Sequence, residues 1–198
     1  MIRQLLAFLC VAFVLPATFA QPNDPEIAQL YARGLAGDAT AVSDCIAALE
    51  KVVAAQPNDQ VARVYLGSAY TLRSRDLSIG PGKLAALRKG IALMDEAAKT
   101  APANAQVQLT RAVTNEAMPP LLGRRKLARH QLDQLVALIE KDPTKLTPSD
   151  QQLLYLNAGE AAKTAGNKPQ ARILWERGAA VNADPKLTQE IAAALAAL

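Results

Sequence analysis

Apolar residues recur three and four positions apart along most of this chain, and proline, glycine or Asn-Asp clusters interrupt them at regular intervals. Such spacing stacks side chains on one face of an α-helix, and such interruptions end one helix and cap the next. The first helix opens at Asp24-Pro25-Glu26, which supplies a capping carboxylate, a proline suited to the first turn and a first-turn acid. Ile27, Leu30, Tyr31 and Leu35 mark its apolar face, and Gly37-Asp38 predicts the turn that follows. Val42, Cys45, Ile46, Leu49, Val52 and Val53 predict a second helix, which Pro57-Asn58-Asp59 ends. A third runs from Gln60 to about Arg75, and a fourth carries Leu84, Leu87, Ile91, Met94 and Ala98 to a stop at Pro102. Between them, residues 76–82 read as a loop because of Gly80-Pro81-Gly82.

The second half repeats the pattern. Asn104 predicts a cap for a fifth helix with Val107, Leu109, Ala112, Val113 and Ala117 inward, and Pro119-Pro120 halts it because neither residue can donate a helical hydrogen bond. A sixth helix after Gly123 buries Ala128, Leu132, Leu135, Val136 and Ile139 and ends at Asp142-Pro143. Thr147-Pro148-Ser149-Asp150 resembles a capping box with Asp in the usual place of Glu or Gln. The helices that follow turn at Gly166-Asn167, and Asp184-Pro185 starts a last one with Leu187, Ile191, Leu195 and Leu198.

Met1 to Ala20 has a different character. Arg3 precedes the apolar run from Leu5 to Leu15, then come Pro16 and the small-residue end Ala17-Thr18-Phe19-Ala20. That is the layout of a secretory signal peptide, and the run is shorter than the roughly 20 apolar residues a membrane-spanning helix needs. The expected domains are therefore a leader over 1–20 and one helical domain over 21–198. The expected location is outside the cytoplasm, periplasmic if the leader is cut and inner-membrane-anchored if it is kept. The residues before Cys10, Ala7-Phe8-Leu9, lack the small residue expected next to a lipidated cysteine, which argues against lipidation there. Cleavage leaves Cys45 alone, so no internal disulfide is expected, and its place in an apolar stripe predicts a buried thiol.

Composition agrees with helices. The 198 residues are 51% hydrophobic but only 4% aromatic, so the apolar content is mostly alanine and leucine. A chain of this length can bury one substantial core, and nothing asks for a second. The formal net charge of +4 becomes +3 without Arg3 and does not itself select a nucleic-acid or membrane partner.

Two stretches carry a recognisable order. Leu66-Gly67, Tyr70, Ala97 and Pro102 follow L-G-x2-Y…A…P, and Tyr155, Ala158-Gly159, Gly166-Asn167, Ala171 and Trp175 repeat the aromatic, small, turn, alanine and aromatic positions. The chain thereby resembles the tetratricopeptide (TPR) superfamily. YLGSAYTLRSRD, ALMDEAAK and PPLLGRRKLARHQLDQL resemble a group of exported bacterial TPR proteins, a likeness that supplies no activity. The resemblance implies an all-α, right-handed helical-repeat solenoid of about four helix pairs plus a C-terminal capping helix. It also implies protein or peptide binding on a concave face lined by the first helix of each pair. Two pairs, Pro25 to Pro57 and Asn104 to Pro143, match mainly by helix spacing and terminal proline, with Leu30 or Arg33, and Thr110, where a small glycine is expected.

Catalysis lacks its parts. His130 is the single histidine and stands among cations in Arg124-Arg125-Lys126-Leu127-Ala128-Arg129-His130, and no G-x-S-x-G, H-E-x-x-H, C-x-x-C or phosphate-binding glycine loop occurs. Neither a cofactor nor a metal is expected. Nucleic acid is a poor fit because aromatic stacking platforms are scarce. Arg73, Arg75, Arg111, Asn115, Arg124 and Arg125 are the candidate groove residues, because guanidinium forks bind carboxylates in bidentate fashion. Tyr70 and Glu116 would flank that groove, with Tyr70 otherwise packing between helices. Adjacent stacking of the middle pairs would let Arg73 and Arg111 share it, whereas a structural reading pairs these arginines with Asp76 and Asp95. The primary functional expectation is a non-catalytic interaction module. The alternative is a small-anion receptor or exported enzyme whose arginine-lined groove lies beside the 76–83 loop.

Overall fold

The computed structural model describes residues 24–198. The leader expected over residues 1–20, with Cys10 and the expected cleavage site after Ala20, lies outside them. Among the described residues the chain is all-α, with helices α1 (Pro25–Leu35), α2 (Ala39–Ala55), α3 (Gln60–Asp76), α4 (Pro81–Thr100), α5 (Ala105–Ala117), α6 (Arg125–Lys141), α7 (Pro148–Thr164), α8 (Lys168–Val181) and α9 (Pro185–Ala196). Single 3-10 turns at Pro120–Leu122 and Pro143–Lys145 flank α6. The caps and helix starts foreseen at Asp24, Asp59, Asn104, Thr147 and Asp184 accept backbone N–H groups of the first helical turn, and so do Asp38 and Asn167, which read as turn residues in the sequence. Asp150 departs from a true capping box: its carboxylate accepts the Thr147 hydroxyl at 2.7 Å.

Helices pair as α1/α2, α3/α4, α5/α6 and α7/α8, with α9 closing the end by setting Ile191 against Leu156, Ala171 and Trp175. First helices lie side by side, α1 on α3, α3 on α5 and α5 on α7, and no comparable row joins the second helices among the described residues. That difference curves the array toward the first helices. The closest pair, α3/α4, meets backbone to backbone: a Cβ on Gly67 would lie 2.7 Å from the Gly90 carbonyl oxygen, and one on Gly90 would lie 2.6 Å from that of Gly67. In α7/α8, Gly159 admits Trp175, whose indole N–H donates to the Leu156 carbonyl at 3.1 Å. The remaining signature positions Leu66, Tyr70, Ala97, Tyr155 and Ala171 are buried, and Pro102 stands exposed in the turn after α4.

Several expectations need correction. Gly80-Pro81-Gly82 is not all loop. Gly80 is the cap and Pro81 the first residue of α4, leaving residues 77–80 as the connection. The chain between Asp59 and Pro102 is thus mostly helix, 17 residues in α3 and 20 in α4. In the first pair the small contact residue is Gly34, packed on Val42, rather than Leu30 or Arg33. Leu35, Leu84 and Ala117, read as inward from their spacing, are exposed, because each sits within a turn of its helix end where no neighbour covers it.

Candidate functional site

The arginines singled out by the sequence separate into two groups. Arg111 on α5 donates through Nε to Asp95 Oδ1 at 2.8 Å and through Nη1 to Gln131 Oε1 at 2.9 Å. Arg124, just before α6, reaches the same carboxylate oxygen at 2.5 Å and donates through Nε to Asn115 Oδ1 at 3.2 Å. Asp95 on α4 therefore holds two guanidinium groups, and the Gln131 amide passes the chain on to Gln108 at 2.8 Å. Burial, the largest influence, pushes the Asp95 carboxyl up, but the hydrogen bonds and charges of Arg124 and Arg111 outweigh it and hold the group below its ordinary range.

The other arginines lie elsewhere. Arg125 donates to the Met118 carbonyl at 3.0 Å. Arg75 pairs with Asp76 and ties α3 to the first pair by donating to the Gly34 carbonyl at 2.9 Å. Arg73 is exposed at the end of α3, where its charge acts on Glu50 of α2. The expected meeting of Arg73 with Arg111 does not occur, since one looks toward α2 and the other is enclosed by α4 and α6. Asn115, read from the sequence as a groove residue, does not reach a surface. It is fully buried and turned to Arg124 instead, with its Nδ2 left unpartnered. Tyr70 is buried, donating to Glu50 at 2.6 Å with Lys89 over its ring, and Glu116 pairs with Arg129.

Two surfaces remain open to a ligand. One is a cleft of about 660 Å³ between α4 and α6, floored by α5, where Arg111 and Asp95 meet Gln108, Gln131 and Leu135 with Lys99 and Lys145 alongside. It opens on the side of the second helices. The other is the inner face. There Tyr31 and Ser68 hydroxyls meet at 2.7 Å, Ser68 and Thr114 at 2.9 Å, and Tyr31 packs edge-on against Tyr65 with centroids 5.2 Å apart. Tyr65 in turn lies beside Thr110, Gln106 and Asp150. Burial pushes the Tyr31 phenol well above its usual range and raises that of Tyr65, so this line joining α1, α3 and α5 is hydrogen-bonding and uncharged. Sequence reasoning missed it. Tyr65 and Ser68 share a face of α3 but stand among core residues Val64, Leu66 and Ala69, and only the lateral packing of first helices reveals that Tyr31 and Thr114 join them.

The thiol of Cys45 is buried and pushed up to about 11 by that burial, as a core residue should be. No cluster of His, Cys, Asp and Glu able to hold a metal ion occurs among the described residues, and no described helix is long and apolar enough to cross a membrane.

No family model and no curated protein matches the sequence. Among solved structures, the chain is similar to the crystal structure of a thermophilic TPR protein from Thermus thermophilus. The two are 20% identical and superpose with a TM-score of 0.61 over 88% of this chain and 84% of that one. At that identity the likeness establishes the fold, a TPR-like right-handed helical-repeat solenoid.

Proposed function

We propose that this chain is a non-catalytic interaction scaffold of the bacterial cell envelope, binding an extended protein segment along its inner face. The observation that carries the reading is the uncharged hydroxyl line from Tyr31 through Ser68 to Thr114, with Tyr65 and Gln106 beside it. Tyr31, Tyr65, Gln106 and Thr114 are half-buried around a buried Ser68, and a neutral polar surface of this kind suits a peptide backbone, which needs hydrogen-bond partners at every residue and brings no net charge. The basic clamp draws less support, because Arg111 and Arg124 are both already paired with Asp95. The envelope assignment rests on the leader-like sequence of residues 1–20.

Site-specific photocross-linking tests the surface. A photoreactive residue at Gln106 or Asn157, both on first helices, is expected to capture one and the same partner band, while one at Ala137 on α6 captures none. Equal capture at all three, or capture at Ala137 alone, would overturn the inner-face reading. N-terminal sequencing of the envelope fraction tests the location, with Gln21 expected as the first residue.

A further inference from the structure

Consecutive helices run antiparallel, so the turns inside each pair line one edge of the solenoid and the turns between pairs line the other. The two edges differ in kind. Of seven large hydrophobic residues that stand exposed among the described residues, six belong to the first edge: Leu35, Leu77, Ile79, Leu84, Leu121 and Leu127. Ile79 and Leu121, at the tips of two neighbouring turns, are 98% and 87% exposed. Leu122 packs on the same buried cluster, with Met94 and Met118, as Leu87 and Ile91 of α4, which brings the α5–α6 turn to the side of α4.

The same edge is cationic. Residues 73–88 carry Arg73, Arg75, Lys83 and Arg88 against the single acid Asp76, and residues 116–130 carry Arg124, Arg125, Lys126 and Arg129 against Glu116. Several are spoken for by internal bonds, whereas Arg73, Arg88 and Lys126 are exposed, and Arg88 shares a shallow hollow with Ile79 and Leu84. The opposite edge, at residues 56–59, 101–104, 142–147 and 182–184, presents Asp59, Asp142 and Asp184 with Lys145, and Lys99 stands beside it in the last turn of α4; its one large apolar residue, Leu146, is buried.

We infer that the within-pair edge rests on an anionic lipid surface, with Ile79 and Leu121 entering the headgroup layer and Arg73, Arg88 and Lys126 meeting lipid phosphates. Apolar tips ringed by cations favour an interface that is apolar beneath and negative above. A folded protein partner is less favoured, because these residues stand on convex, separate turns and form no continuous groove. The inference is independent of the peptide-binding reading, since it uses an edge of the array and leaves the inner face free.

Vesicle partitioning tests it with the full chain, using phosphatidylglycerol–phosphatidylcholine vesicles and phosphatidylcholine alone. Binding is expected to the anionic vesicles only. Reversing Arg73→Glu, Arg88→Glu and Lys126→Glu together should weaken it at least ~100-fold, whereas Lys99→Glu with Lys145→Glu on the far side should change it by less than about threefold. Because the leader is common to every variant, insertion of the edge is read separately. With Ile79→Trp or Leu121→Trp, the added indole should shift to the blue on phosphatidylglycerol vesicles and be quenched by brominated lipid, and with Asn58→Trp it should not. Equal response from both edges, unshifted indoles at positions 79 and 121, or undiminished binding of the triple reversal would overturn the proposal. Unshifted indoles would leave this edge to a protein partner.

Discussion

Gly67→Ala is the sharpest test of how α3 and α4 are held. In an exposed helix the change would stabilise by about 1 kcal/mol, because alanine restricts the unfolded chain and glycine does not. At position 67 the new Cβ would lie 2.6 Å from Met94 Cγ, 2.7 Å from the Gly90 carbonyl oxygen and 2.9 Å from the Met94 backbone nitrogen. Met94 can turn its side chain, but the Gly90 carbonyl and Met94 nitrogen belong to the α4 backbone. Opening 2.7 Å to an ordinary contact of 3.4 Å requires a shift of about 0.7 Å along the most extensive helix contact in the molecule. Overpacking of this kind costs about 1–3 kcal/mol, and the backbone wall places it at the upper end. The net expectation is a loss of about 1–2 kcal/mol, or a fall in Tm of roughly 3–7 °C. Urea unfolding followed by circular dichroism should show a lower midpoint at unchanged m. Gly82→Ala is the control, since a Cβ there meets nothing within 4 Å, and it should be neutral or stabilising. A Gly67→Ala chain as stable as the parent would refute the backbone contact.

Removing the Asp95 carboxylate should leave Arg111, the more buried partner, unpaired. Asp95 is 37% exposed, so solvent moderates the penalty, and Asp95→Asn is expected to cost about 1–2 kcal/mol in urea unfolding. The sign of its pH dependence follows from the lowered carboxyl: the stabilisation is complete above the ordinary aspartate value of about 4 and is lost as pH falls through the folded value below it. Thermal melts from about pH 6 to 3 should therefore converge for the parent and Asp95→Asn, and parallel curves would count against the pairing. Trp175→Phe removes the indole bond to Leu156 and part of a fully buried side chain, with an expected loss of about 1–3 kcal/mol in denaturant midpoint. Cys45 should resist a disulfide reagent in the native protein and react once urea unfolds it, because its thiol is enclosed and its pKa pushed up to about 11.

Helix positions, caps and turns were legible in the sequence because each depends on a few neighbouring residues. Asp24, Asp38, Asp59 and Asn104 cap wherever their helices go, and Pro119-Pro120 ends α5 whatever packs on it. Gly67 and Gly159 were legible for a related reason, since a close helix approach demands the missing side chain at that point in the chain. What a side chain meets across the array is decided by tertiary packing. Arg73 and Arg111 look alike in sequence, yet one is left in solvent at a helix end and the other is enclosed with Asp95 and Gln131. Gly80-Pro81-Gly82 reads as loop by composition, while glycine as a cap and proline at the first helical position are also a good helix start. The hydroxyl line of the inner face and the apolar, cationic edge likewise join residues from different pairs. Local sequence determined the helices, and only their stacking decided which residues share a surface, because lateral neighbours in a solenoid lie a whole repeat apart along the chain.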